Sequence, residues 1–182
     1  MSGWWERARA VQGLVLDVDG VLSDGQVYFD RRGEAMRSFS VRDGLGVALL
    51  QRMGLRVAIV SGRSSPTVQH RADELGIDPV LLGRTEKAQA LDEVLAAWRM
   101  APEEVAAMGD DLLDWPLLRR VGVSLAPGDA HALLRDRVDV VCEAVGGRGA
   151  VREACELLLR ARGLWDEVLA HYSLQEPSEE ER

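Results

Sequence analysis

The sequence predicts an α/β protein of three layers, in which an open parallel sheet lies between two layers of helices. Three short runs that are almost entirely apolar, residues 14–16, 56–60 and 105–108, are typical of strands buried on both faces. Helical stretches alternate with these runs, as in parallel sheets. Polar side chains follow each run directly, at the carboxyl edge where open α/β sheets bind ligands. A ligand site is therefore expected at that edge.

Length and charge restrict the classes of function. The chain has 182 residues, which is enough for one domain with its own core. A net charge of −8 argues against a nucleic-acid partner, although local arginines or a metal can still attract an anionic substrate. Cys142 and Cys155 lack metal-ligand spacing and are expected to be reduced thiols. With no signal core in residues 1–10 and no membrane-spanning run, we expect a cytoplasmic protein without membrane contact.

The same patterns predict the elements and the domain organisation. Helices are predicted at 3–10, 45–53, 66–75, 85–98, 129–134, 150–160 and 164–171, and strands at 13–18, 56–60, 79–82, 105–108, 121–125 and 138–141. Residues 1–175 are expected to form one domain, and residues 176–182, with four Glu and one Arg, an acidic disordered tail.

A β-hairpin with a glycine-containing turn is predicted between residues 26 and 40. It is too short to be a lid domain, and an isolated hairpin is marginal in water. We therefore expect the flap to pair with another surface, such as the same hairpin in other subunits. The alternative is an ordinary solvated flap.

The stretch after the first apolar run reads Asp17-Val18-Asp19-Gly20. Side chains alternate along an extended strand, so the two carboxylates can share one face. Gly20 permits a sharp turn there. Oxygen ligands beside a flexible turn suit Mg²⁺, an ion that usually sits beside phosphate. An isolated pair of acids of this kind can also be a solvated loop.

Acids follow a second apolar run, where Gly109 is succeeded by Asp110, Asp111 and Asp114. Asp110 and Asp114 can reach the same cleft as the first acid pair, and Asp111 can cap a helix. Acids at a helix start also complement the helix dipole. Together with the first acid pair, they favour a metal site.

Lys87 is the only lysine, against 21 arginines. In a chain so biased toward arginine, the one lysine suggests a site where a compact ammonium group is needed. In the first turn of a predicted helix a cation opposes the helix dipole, which is an odd placement for stability alone. Chance survival on a surface helix is the alternative.

Hydroxyl and guanidinium groups are the remaining candidates for the predicted site at the carboxyl edge of the sheet. Ser61, after residues 56–60, can donate to a phosphoryl oxygen, and Arg63 and Arg71 can reach the same edge or face solvent. Asp43 can cap the following helix, and Arg42 offers a fork for a carboxylate or phosphate. Arg148, in a glycine-rich loop, is either functional or part of a plain turn.

These residues sort into chemical roles. Mg²⁺ is expected between the acids, and Asp17 is expected to attack phosphorus in line. Asp19 gives a proton to the leaving alcohol and then takes one from the attacking water. Ser61 and Lys87 neutralise the developing oxygen charges. Water then hydrolyses the aspartyl phosphate.

Four motifs, DVDGVLSDG, VSGR, Lys87 and GDDLLD, resemble in order those of the haloacid dehalogenase superfamily of phosphatases. SVRDG, GDDLLDWP and GGRGAVRE resemble its capless branch that acts on 3-deoxy-D-manno-octulosonate 8-phosphate. The resemblance covers about residues 11–162. It implies a Rossmann-like, three-layer fold with a small β-hairpin flap and no cap domain, and a homotetramer joined through its hairpins.

The resemblance also implies site residues. Mg²⁺ would be held by the carboxylates of Asp17 and Asp110 and the carbonyl of Asp19. The sugar acid phosphate would contact residues in two groups, namely Asp19, Arg63, Arg71 and Lys87, and the run Ser40, Val41, Arg42, Asp43 and Gly44. Asp111, Asp114 and Arg148 are expected to support them.

Three positions depart from the pattern of the family. Ser40 stands where asparagine is common, and Ala48 stands where some relatives have a basic residue. Glu86 replaces a more usual neutral side chain beside Lys87. These departures leave the phosphatase chemistry intact and bear on the substrate.

Three alternatives remain at this point. The same chemistry can act on a related nine-carbon sugar acid phosphate. A catalytically silent relative can serve as an oligomerisation module, although the full set of acids and Lys87 argues against silence. A phosphate-receiver signalling domain also uses Mg²⁺ and a phosphoaspartate, but it would not call for Asp19 or for a hairpin after the first strand.

Overall fold

The computed structural model describes residues 3–176 of the chain. The helices are α1 (Gly3–Ala8), α2 (Val41–Arg52), α3 (Pro66–Leu75), α4 (Lys87–Trp98), α5 (Trp115–Leu118), α6 (Ala132–Arg135), α7 (Ala150–Ala161) and α8 (Trp165–His171). The strands are β1 (Gly13–Leu16), β2 (Tyr28–Asp30), β3 (Gly33–Met36), β4 (Arg56–Val60), β5 (Val80–Leu81), β6 (Val105–Met108), β7 (Val123–Ala126) and β8 (Val140–Val141).

Six strands form a parallel sheet in the order β5-β4-β1-β6-β7-β8, and β2 pairs with β3 as a separate antiparallel hairpin. This arrangement confirms the predicted open parallel sheet. Strand β1 lies between β4 and β6, so the segment after β1 begins near the middle of the carboxyl edge.

The sheet is buried on both faces, which explains why its strands are continuous apolar runs. Leu14 and Leu16 of β1 pack into one core cluster with residues of α1, α2, α3, α7 and α8. Val15, between them, packs into a second cluster with residues of α4, α5 and α6. Side chains thus alternate between the two helical layers, and the protein has the predicted three layers.

Strand β1 ends at Leu16, so the prediction that it continues to residue 18 is wrong. A tight turn over Val18–Leu22 follows, and Gly20 takes the left-handed conformation there, with φ 76°. A non-glycine residue would be strained at that angle. The chain then enters the hairpin of β2 and β3, and among the described residues nothing larger is inserted before α2, so no cap domain covers the edge.

Helix α2 begins at Val41, four residues earlier than predicted. The prediction that Asp43 caps it is wrong, because the Ser40 side chain accepts the hydrogen bond from the Asp43 backbone N–H at 3.2 Å. Asp111 does cap the short turn Leu112–Asp114, as predicted, by accepting from the Leu112 N–H at 2.6 Å.

Other boundaries differ by a few residues from prediction. The helix predicted at 129–134 is Ala132–Arg135, and the strand predicted at 121–125 is Val123–Ala126. Glu176, the first residue of the predicted acidic tail, ion-pairs with Arg160 at 2.5 Å, and the other tail residues, 177–182, lie outside the described part of the chain. Within residues 3–176 there is no helix with the length and apolar character needed to cross a bilayer.

Candidate active site

A cavity of about 260 Å³ lies at the carboxyl edge of the sheet, beyond the ends of β1, β4 and β6. It collects polar residues that are far apart in sequence, as the fold class predicts. Its lining consists of Asp17, Asp19, Gly20, Gly25, Ser61, Gly62, Arg63, Lys87, Asp110, Asp111, Leu113 and Asp114. Every catalytic and metal-ligating residue predicted from the sequence lines this one cavity.

Lys87 is the centre of the site and is only 4% exposed. Its ammonium donates to Asp17 Oδ1 at 2.6 Å and to the Val60 carbonyl at 2.8 Å, and it lies 2.9 Å from Asp114 Oδ1. Three acceptors around one nitrogen suit the compact ammonium group better than a planar guanidinium. The first residue of α4 therefore joins the end of β4 to the segments that follow β1 and β6 through a single side chain.

Three carboxylates share the space around that ammonium. Oxygen atoms of Asp17, Asp110 and Asp114 all lie within 4.8 Å of one another. The Asp114 carboxylate is held in place by two hydrogen bonds, which its Oδ2 accepts from the backbone N–H groups of Asp110 at 3.0 Å and Asp111 at 3.2 Å. One lysine balances only one of the three negative charges, and oxygen donors with surplus negative charge fit a hard divalent cation.

Burial and mutual repulsion raise the pKa of two of these carboxylates, Asp17 and Asp110. Burial, followed by the charges of Asp17, Asp114 and Asp111, raises the pKa of Asp110 to about 8. Burial also raises the pKa of Asp17 to about 7, with Asp114 adding to the rise and Lys87 opposing it. Burial alone would lower the pKa of Lys87, but its two carboxylate partners raise it. A bound cation would therefore compete with protons here.

Asp19 has a cationic partner that sequence reasoning missed. Its Oδ1 forms an ion pair with Arg37, whose side chain is fully buried. Its Oδ2 lies 3.9 Å from Arg63 Nε, and the Arg63 side chain is half exposed. Arg63 lies in the cavity wall, at the edge that the sequence led us to expect for it. Arg37 follows the hairpin strand β3, and no local pattern distinguishes it from the other arginines of the segment.

Ser61 lies buried at the end of β4, where its hydroxyl accepts from the Arg63 backbone N–H at 3.3 Å. The turn after Asp19 packs tightly against both neighbours. A Cβ at Gly20 would lie 2.1 Å from an Asp110 carboxylate oxygen, and one at Gly146 would lie 1.9 Å from the Gly20 carbonyl oxygen. These glycines therefore let the two acid-bearing segments and the loop before α7 approach closely.

The loop of residues 146–149 rests on the turn after β1, since the Gly147 N–H donates to the Val21 carbonyl at 2.8 Å. The side chain of Arg148 is exposed there. Asp43 is buried, and its carboxylate accepts from the N–H groups of Gly149 at 3.1 Å and Arg152 at 2.8 Å. Asp43 therefore holds the N-terminus of α7, a common place for a carboxylate.

The predicted substrate run at residues 40–44 lies outside the lining of this cavity. Arg71 belongs with that run, because its Nη2 donates to the Ser40 carbonyl at 3.2 Å. Val41 and Arg42 are exposed, and the Asp43 carboxylate faces α7. The chain therefore separates the predicted substrate residues into a group in the cavity and a second group at the start of α2.

Comparison with known proteins identifies the class to which this fold and site belong. Residues 81–152 match the model of the haloacid dehalogenase-like hydrolases. The chain is 47% identical over 162 residues to the 3-deoxy-D-manno-octulosonate 8-phosphate phosphatase KdsC of Escherichia coli K12, covering 89% of this chain and 86% of that protein. The chain therefore belongs to the KdsC family of haloacid dehalogenase-like hydrolases, which confirms the resemblance of its motifs.

Solved structures agree with this assignment. The 3-deoxy-D-manno-octulosonate 8-phosphate phosphatase from Yersinia pestis is 43% identical, with a TM-score of 0.87 over 89% of this chain and 88% of that chain. The enzyme of that name from Moraxella catarrhalis, in complex with magnesium, phosphate and KDO, is 36% identical, with a TM-score of 0.90 over 93% and 97%. A cobalt-bound form from Haemophilus influenzae is 39% identical, with a TM-score of 0.85 over 86% and 92%.

Proposed function

We propose that this protein is a Mg²⁺-dependent phosphomonoester hydrolase that converts 3-deoxy-D-manno-octulosonate 8-phosphate into the free sugar acid and phosphate. The observation that carries the proposal is the buried Lys87 ammonium between Asp17 and Asp114, with Asp110 within reach. Membership of the KdsC family supports the substrate, and so does the Moraxella catarrhalis relative in complex with magnesium, phosphate and KDO. A place in lipopolysaccharide sugar synthesis follows from that substrate.

The residues present fit a magnesium ion. Asp17 and Asp110 offer carboxylate oxygens, and by family resemblance the Asp19 carbonyl offers a third protein ligand. Asp114 is engaged with Lys87 and two backbone N–H groups, so it supports the ligands and is not assigned as one itself. When bound, the ion supplies positive charge that offsets the phosphoryl oxygens and the clustered carboxylates.

Asp17 is the proposed nucleophile. Lys87 binds its Oδ1, which leaves Oδ2 for attack on phosphorus. A bond forms between this oxygen and phosphorus while the bond from phosphorus to the sugar oxygen breaks. Asp19 donates a proton to that departing oxygen, and then removes a proton from the water that hydrolyses the aspartyl phosphate and restores Asp17. Lys87 and Ser61 stabilise charge on the phosphoryl oxygens.

The proposed substrate contacts combine both groups of residues. Asp19, Arg63 and Lys87, which line the cavity, are assigned to the phosphoryl end, and Arg71 with residues 40–44, which lie outside the lining, are assigned to the sugar acid. Asp111, which lines the cavity, and Arg148, in the loop that rests on the turn after β1, are assigned supporting roles. Two residues that depart from the family pattern lie in or near these residues. Ser40 belongs to the run 40–44, and Ala48 lies at an exposed position of α2.

The flap is the proposed contact between subunits in a cytoplasmic homotetramer. Tyr28, Phe29 and Met36 on the hairpin are 50%, 66% and 56% exposed, and Val41 at the start of α2 is 82% exposed. Large apolar side chains exposed on a short hairpin favour contact with another protein surface. A neighbouring subunit would then cover the open site. Residues 1–175 form the proposed single phosphatase domain.

Two other functions are distinguished by experiment. A phosphatase for a nine-carbon sugar acid phosphate would use the same acids and Lys87, and the residues at the start of α2 would then bind a different sugar acid. A silent oligomerisation module would need neither Lys87 nor the acid cluster, and their close geometry argues against it.

The test is phosphate release with Mg²⁺ from a panel of sugar phosphates that includes the eight-carbon substrate and its nine-carbon analogue. Asp17→Asn is the matched control, because it keeps the shape of the side chain and loses the nucleophile. Strong preference for the eight-carbon ester is expected, with activity lost in EDTA and regained with Mg²⁺. Preference for another ester would overturn the substrate, and no release from any ester would overturn the phosphatase.

A further inference from the structure

We propose that Arg37 is a positioning residue for Asp19, and that it reserves Oδ2 of Asp19 as the oxygen that exchanges the proton with the leaving group. This inference rests on the proposed function, in which Asp19 is the acid and base. It adds a residue that the sequence motifs do not include, and it links the end of the hairpin to the acid and base.

The contacts of Asp19 differ between its two oxygens. Oδ1 is paired with Arg37, whose side chain is completely buried, whereas the Asp19 side chain is 28% exposed. Oδ2 points toward the half-exposed Arg63, 3.9 Å from its Nε, beyond hydrogen-bond distance. Asp19 and Arg63 both line the cavity. Among the contacts of the described residues, Oδ1 is therefore the oxygen with a close cationic donor, and Oδ2 is the oxygen whose nearest ion-pair partner is more distant.

The chemistry of guanidinium explains why this asymmetry matters. Arginine has only donors and stays protonated, so Oδ1 acts as an acceptor for as long as Arg37 is in place. A proton on Asp19 is consequently carried by Oδ2. Fixing one oxygen also fixes the rotation of the carboxyl group, and proton transfer depends on placement within hydrogen-bond reach of the reacting oxygen.

The position of Arg37 in the chain connects Asp19 to the flap. Arg37 follows β3 directly, and two residues later Phe39 bridges in antiparallel fashion to Ser23, at the end of the turn that carries Asp19. The Ser23 hydroxyl in turn donates to the Val18 carbonyl at 3.1 Å. The hairpin exit and the acid-bearing turn therefore form one connected unit, and Arg37 is its contact with the reacting group.

The test uses the dependence on the leaving group. A sugar alkoxide needs a proton as it departs, whereas p-nitrophenolate does not. In Arg37→Met the first step with the sugar ester should slow about 10- to 100-fold, part of the 10²–10⁴-fold that a positioned acid supplies, with KM within about threefold. The burst of p-nitrophenolate from p-nitrophenyl phosphate, which reports the same step, should stay within about threefold of the wild-type rate.

Two further variants keep the result interpretable. Arg37→Lys retains a cation with donors and should recover most of the loss, and it also serves if Arg37→Met does not fold. Arg119→Met, at an exposed position directly after α5, is the matched control and should behave as the wild type. Equal slowing with both esters, or a raised KM with unchanged turnover, would overturn the role of Arg37. Inactive wild-type protein would instead overturn the proposed function.

Discussion

Removal of the Lys87 ammonium should destabilise the protein as well as inactivate it. Lys87→Met keeps a chain of similar volume but leaves Asp17 and Asp114 buried without their cation. Breaking a buried ion pair in this way costs about 3–5 kcal/mol in the free energy of unfolding. For a chain of this size, that loss corresponds to a melting temperature lower by about 6–20 °C.

The loss should depend on pH, and its sign follows from the carboxylates. Burial raises the pKa of Asp17 and Asp110, and without the Lys87 charge the pKa of Asp17 rises further. The folded variant then binds more protons than the unfolded chain, so its stability falls as the pH increases. The deficit relative to the wild type should be small at pH 5 and largest near pH 8.

Thermal and urea unfolding in EDTA, at pH 5 and pH 8, measure this effect. Gln89→Met, at an exposed position of the same helix, is the matched control. Lys87→Arg should recover little of the stability, because a guanidinium is larger and planar, whereas the three acceptors surround one nitrogen. A Lys87→Met variant as stable as Gln89→Met at pH 8 would refute the reasoning.

Two further predictions concern stability. Asp43→Ala removes two hydrogen bonds to the start of α7, so the free energy of unfolding should fall by about 3–6 kcal/mol, at about 1.5–3 kcal/mol for each bond. Asp43→Asn keeps one acceptor and should lose roughly half as much. Equal urea midpoints for the wild type and Asp43→Ala would contradict this. In the metal-free wild type the pKa of Asp17 is about 7 and that of Asp110 about 8, above the ordinary 3.8, so stability should fall as pH rises from about 4 to 8. Mg²⁺ should flatten that profile in urea titrations, and an unchanged slope would reject the metal site.

The sequence predicts the sheet and the side chains that line the cavity because both follow from local patterns. The runs at 56–60 and 105–108 are strands with the predicted bounds, and helix α3 also begins and ends as predicted. Since parallel strands end at one edge, polar residues after each strand meet there without further information. Composition singles out Lys87, because it is one lysine among 21 arginines. A position that keeps lysine in such a chain indicates a need for a compact ammonium group, which a guanidinium cannot replace.

Other features depend on contacts that no local pattern contains. Arg37 pairs with a residue 18 positions away, and a lone arginine in a hairpin gives no signal of burial. Ser40 and Asp43 are both good caps three residues apart, so local pattern alone does not fix the start of α2, whereas in the structure the Asp43 carboxylate faces α7 and Ser40 is the cap. The apolar pattern of β1 continues through Val18, whereas the backbone turns at Gly20.

The aspartyl phosphate tests the central claim most directly. Protein quenched during turnover of the eight-carbon ester with Mg²⁺, then reduced with borohydride and digested, is analysed by mass spectrometry for the modified peptide. The claim predicts that the modification lies on Asp17 alone and that Asp17→Asn shows none while melting near the wild-type temperature. Turnover without modification at Asp17, or with a phosphoryl group on another side chain, would contradict it.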